Sequence, residues 1–90
     1  RQVCAICLAD VQRHQGPIHR CNADSLWSGG KARCYRNDKN CIAAPGGREI
    51  CLDWQRSRGC PSQSSKHLHE CSGCASPNHG ASNCHLAQTD

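Results

Sequence analysis

A chain of 90 residues with 10 Cys, 6 His and a formal net charge of +4 is long enough for one domain or a string of very small modules. Its large apolar side chains are few: four Ile, five Leu, two Val, two Trp and one Tyr, with no Phe or Met. Ordering a residue costs about 1–2 kcal/mol. So small an apolar set cannot offset that by burial, which excludes an ordinary hydrophobic core and leaves cross-links, covalent or metallic, to hold a fold. No apolar run approaches a membrane span.

An even cysteine count suits a disulfide framework. The histidines argue for zinc. Several stand at ligand spacing, and the pairs Cys4/Cys7 and Cys71/Cys74 have the Cys-x2-Cys chelate spacing of a tetrahedral zinc. There is no Asn-x-Ser/Thr acceptor and no signal-peptide pattern, and the start without Met reads as part of something longer. The expectation is zinc in a reducing, intracellular compartment, the nucleus before the cytoplasm. A secreted disulfide protein is the alternative.

Charge is uneven. Residues 1–66 carry all eleven Lys and Arg against five acids, +6, whereas residues 67–90 carry only Glu70 and Asp90, −2. The basic character belongs to the first two thirds.

In chain order, residues 4–21 offer a first centre: Cys4, Cys7, Cys21 and either His14 or His19. His14 is preferred, because ligands separated by a single residue strain a tetrahedral site. A short helical turn is expected over Leu8 to His14, ended by Gly16-Pro17. Residues 22–50 connect. One helical turn is expected at Asp24–Trp27, turns at Ser28–Gly30 and Ala44–Gly47, and a short strand at Arg48–Leu52. Residues 51–69 offer a second centre, Cys51-x8-Cys60-x6-His67-x1-His69, with Asp53 capping a turn through Ser57. Residues 71–84 offer a third, Cys71-x2-Cys74-x4-His79-x4-Cys84, with Ser72-Gly73, Pro77-Asn78 and Gly80 suited to tight turns around one ion. Residues 85–90 are a tail. Three zinc ions take twelve ligands. A fourth site is arithmetically open from Cys34, Cys41, His85 and the unused histidine of His14 and His19. The plainer reading makes Cys34 and Cys41 small apolar fillers.

The ligand spacing at 71–84 resembles the Cys-Cys-His-Cys zinc knuckle of retroviral and retrotransposon nucleocapsids. Residues 51–69 resemble a Cys-Cys-Cys-His finger with His as the third ligand, and 4–21 resemble a stretched knuckle. The Cys4-Ala-Ile-Cys7-Leu8 opening is shared with RING fingers, but the later ligand order is not. The implied fold is a small metal-stabilised, mostly irregular module of short helical turns and short strands, a multi-zinc-finger unit over 1–90, monomeric by default. Such fingers bind single-stranded RNA or DNA, stacking bases on aromatics and holding phosphates with cations.

The knuckle itself lacks that equipment. No aromatic or basic residue lies between Cys71 and Cys84. The middle of the chain has it: Lys31, Arg33, Arg36 and Lys39 surround Tyr35, and Trp54 stands near Arg56 and Arg58. These eight are the expected nucleic-acid contacts, with Trp27 and Trp54 competing as core. A protein-interaction module is the second expectation. An enzyme is not expected, because each module offers four protein ligands, whereas a catalytic zinc keeps a position open.

Overall fold

The computed structural model describes residues 2–62 and 66–89. Turns dominate, as the scarcity of long apolar periodicity dictates. The elements are three single 3-10 turns, Ile18–Arg20, Asp53–Gln55 and Ala81–Asn83, and one antiparallel hairpin of β1 (Tyr35–Arg36) with β2 (Ile42–Ala43). Tyr35 faces Ala43, and Arg36 faces Ile42. The hairpin loop is built by Asn37, whose side-chain oxygen accepts the N–H groups of Lys39 and Cys41, both at 3.0 Å. This is the local bonding that makes Asn a turn residue.

Beyond the hairpin the chain extends the ladder piecemeal. Ala44 to Gly47 closes a turn, with the Gly47 N–H 2.9 Å from the Ala44 carbonyl. Glu49 then bridges back to Ala43, and Ile50 pairs in parallel with Leu68. That parallel bridge fixes the register of the second centre.

Among the described residues, the fully buried apolar side chains larger than Cys and Ala are Val3, Ile6, Leu8, Ile42 and Ile50. One cluster gathers Cys4, Ile6, Cys34, Ile42 and Ile50 under the hairpin. A second gathers Val3, Leu8, Ala81 and Ala87, with Leu26 and Leu86 against it, and so joins the two ends of the chain. Hydrogen bonds reinforce the junction. The Gln88 N–H donates to the Leu8 carbonyl (2.9 Å), the Asp10 N–H to Gln88 Oε1 (2.8 Å), and Trp27 Nε1–H to the Leu86 carbonyl (2.8 Å). The radius of gyration is 11.7 Å, near the ~12 Å of a compact chain this long.

Several local expectations change. Leu8 to His14 is not helical. Leu8 takes a left-handed conformation (φ 62) that ends the Cys4–Cys7 turn, and hydrogen-bonded turns follow. Asp24 to Trp27 forms no helical turn, because Ser25 bridges to Lys31 instead. Asp53 lies inside its 3-10 turn, not at the cap; Leu52 holds that position. The hairpin at 35–43 carries no strand signal in the sequence, where it shows only as a basic stretch around Tyr35. The turns at Gly29 and Gly47 form as expected.

Candidate metal centres

Three groups of Cys and His bring their ligand atoms within 4.8 Å of one another. The first is Cys4, Cys7, His14 and Cys21. Its base is a tight loop in which the Cys4 N–H donates to the Ala9 carbonyl and the Leu8 N–H to the Cys4 carbonyl, each at 2.9 Å. This folds the two thiols side by side. His14 Nδ1 is 2.9 Å from the Gly16 carbonyl, the outer hydrogen bond that orients a ligating imidazole and leaves Nε2 for an ion. The 3-10 turn Ile18–Arg20 then delivers Cys21. His19 rides that turn, exposed and outside the group, whereas His14 lies within it.

The third group, Cys71, Cys74, His79 and Cys84, repeats the design. The Cys71 N–H donates to the Ser76 carbonyl (2.8 Å) and the Ala75 N–H to the Cys71 carbonyl (2.9 Å). Ala75 occupies the left-handed position (φ 70) that Leu8 holds in the first loop. The 3-10 turn Ala81–Asn83 delivers Cys84. Cys74 Sγ lies 3.4 Å from His79 Nε2, close to the tetrahedral edge of about 3.6 Å that ordinary Zn–S and Zn–N bond lengths give.

Six of the eight candidate ligand thiols carry one further mark. Cys4, Cys71 and Cys84 accept the backbone N–H two residues on, from Ile6 (3.4 Å), Gly73 (3.3 Å) and Leu86 (3.5 Å). Cys7, Cys21 and Cys60 accept likewise from Ala9, Ala23 and Ser62. Such bonds favour thiolate sulfur. Cys34 and Cys41 lack the mark. Their thiols donate instead, to the Ser72 carbonyl (3.3 Å) and toward the Lys39 carbonyl (3.8 Å), and neither they nor His85 belong to a group among the described residues. Without an ion, burial pushes the Cys4 and Cys71 thiols up to about 12. A metal entering at neutral pH must therefore displace protons, and its binding strengthens as pH rises.

The middle group holds three ligands among the described residues: Cys51, Cys60 and His69. His67 is not brought in. The parallel pairing of Ile50 with Leu68 sets residue 49 beside 67 and residue 51 beside 69. His69 therefore meets Cys51, while His67 Nε2 lies 3.3 Å from Glu49 Oε1. His69 Nε2 is buried without a hydrogen-bond partner. Such a nitrogen is costly unless something satisfies it, and an ion at Cys51, Cys60 and His69 fits that need.

Two residues tie this group to the third. Trp54 stacks on His69 (centroids 4.8 Å apart, planes 6° apart) and donates from Nε1 to the His79 carbonyl at 3.0 Å. Gln55, 3% exposed, uses its whole side chain. Its amide donates to the carbonyls of Cys51 (3.2 Å) and Glu70 (2.7 Å), and its oxygen accepts the N–H groups of Ser72 (3.0 Å) and Ala81 (2.8 Å). Sequence reading missed Gln55 entirely, since a lone Gln in a polar stretch carries no signal of burial.

The expected nucleic-acid contacts divide. Arg33 is turned inward, paired with Glu70 and donating to the Cys71 carbonyl at 3.0 Å. Arg36 donates to the carbonyls of Cys21 (2.8 Å), Asn40 (3.1 Å) and Ile18 (3.1 Å). Trp54 is half-buried between two centres. Lys31, Tyr35, Lys39, Arg56 and Arg58 remain exposed. A cavity of about 300 Å³ opens beside Arg36 and Arg56, walled by Ile18, Ile42 and Leu52 and rimmed by His19, Arg36 and Arg56, with no acidic residue in its described lining. Comparison of the chain with protein-family models, curated proteins and solved structures gives no match.

Proposed function

We propose that the chain is a zinc-stapled, non-catalytic module that binds single-stranded nucleic acid, acts as a monomer and works in the nucleus. Zinc is the natural occupant of groups that combine two or three thiols with one imidazole. The binding reading rests chiefly on the 300 Å³ cavity. Apolar walls with a cationic rim suit a base held flat and its phosphate held at the edge. Exposed Arg58, which lines an adjoining hollow together with Arg56, adds a further cation.

A labelled single-stranded oligonucleotide titrated at low salt tests this. Affinity should fall with salt as counterions are released, and Arg56→Ala with Arg58→Ala should reduce the logarithmic slope by about 0.7 per arginine. Leu52→Glu, which puts a negative charge at the cavity wall, should abolish binding. No binding at low salt, or binding indifferent to these changes, would sink the reading.

The bare third centre supports a second reading, a protein-interaction module. Residues 71–84 present no cation and no aromatic. Partners captured from a nuclease-treated extract, and lost with substitutions on that face, would favour it.

A further inference from the structure

The middle centre differs from its neighbours in the number of side chains that reach it. Cys51, Cys60 and His69 supply three ligand atoms, against four in each outer centre. His67, the obvious fourth, is held at Glu49 by the strand register, and Glu49 is itself held by Asn37 Nδ2 at 2.9 Å. Among the described residues the space beside the cluster is open: a cavity of about 420 Å³ is lined by both ligand thiols, by Ile42, Ile50 and Leu52, and by the polar side chains of Asn40, Cys41, Asp53, Ser62 and His67.

The geometry points to an ion held by three side chains, whose fourth position faces this cavity and takes a thiolate from outside the chain. The inference rests on the zinc reading above. Two thiolates and a neutral imidazole leave a divalent ion with no net charge, whereas each outer centre, with three thiolates, sits near −1. A neutral, thiolate-rich centre with Ile42, Ile50 and Leu52 beside it is suited to one more soft donor. With it, all three centres reach the same three-sulfur, one-nitrogen composition. The cavity volume admits a small thiol. Binding involves no redox change: the sulfur bonds to the ion as the thiol proton passes to solvent.

The full chain loaded with cobalt(II) in place of zinc gives a direct readout, because each cobalt–thiolate bond contributes near-ultraviolet charge-transfer absorption. Titration with 2-mercaptoethanol should raise that absorption and saturate at about one thiol per chain. His67→Ala and Cys41→Ala should behave as the parent, before and after thiol is added. Cys60→Ser should lose the response. Should that variant fail to fold, native mass spectrometry of the parent should show the fully loaded chain with one thiol adduct. Full loading with no thiol response overturns this inference alone. So does a spectrum already altered by His67→Ala or Cys41→Ala before thiol is added, which would show that side chain filling the position. Failure of the middle centre to take up metal overturns the zinc reading there as well.

Discussion

The outer centres and the middle centre solve one problem in two ways. Each outer centre closes largely on itself: a Cys-x2-Cys loop, a histidine, and a 3-10 turn that hands over the last cysteine, all within one short segment. The middle centre borrows its geometry. Cys51 and His69 meet through a strand bridge between Ile50 and Leu68, and Trp54 and Gln55 brace them against the third centre. Local closure brings its ligands together by turns, whereas borrowed geometry lasts only while the surrounding fold does.

The largest effect that would break this contrast is metal removal. Structural zinc contributes on the order of 10–16 kcal/mol per finger-like site, far more than five large buried aliphatics supply. A strong chelator should collapse the circular dichroism spectrum and make the chain fully protease-sensitive. An unchanged spectrum would show that the Cys and Ala clusters suffice alone.

Single-ligand substitutions sharpen the contrast. Cys71→Ser should cost two bound ions by native mass, the third and the middle, and most of the thermal stability, because the middle centre leans on the third. Cys60→Ser should cost one ion and leave both outer centres loaded, with a melting point between those of Cys71→Ser and the parent. Equal losses would mean the middle centre is as self-contained as its neighbours.

Gln55→Leu comes next. It strands the Ser72 and Ala81 amides and two carbonyls in a buried setting, at a cost of about 2–5 kcal/mol. Denaturant melts of the loaded protein would measure it, and a loss below about 1 kcal/mol would show that Gln55 is no brace.

The smallest effect runs the other way. Ala75 holds a positive φ on an exposed loop, a conformation glycine adopts without strain. Ala75→Gly should raise stability by about 0.5–1 kcal/mol. The equivalent Leu8→Gly should lower it, because Leu8 is buried between the two outer loops.

What the sequence made legible follows the same division. The Cys/His groups of the outer centres could be read from spacing, because a Cys-x2-Cys loop and a 3-10 turn before the last cysteine set each of them locally. The choice between His67 and His69 depends on a register between Ile50 and Leu68 that no local pattern encodes. Arg33 and Arg36 looked like a phosphate-binding surface. Arg33 serves Glu70 and the Cys71 carbonyl, and Arg36 binds three turn carbonyls while its charge stays at the rim of the cavity. Cys34 is buried and, among the described residues, belongs to no Cys/His group.

The contact between Leu8 and Gly73 carries a consequence for how metal is acquired. A side chain at Gly73 would stand 2.7 Å from Leu8 Cδ1, so each outer loop is shaped around the other. An ion that orders one loop prepares the partner surface of the second, which then pays less entropy on loading. Uptake should be steep rather than graded, with few singly loaded molecules at any free metal level. The pair of loops would thus answer to metal supply as a threshold.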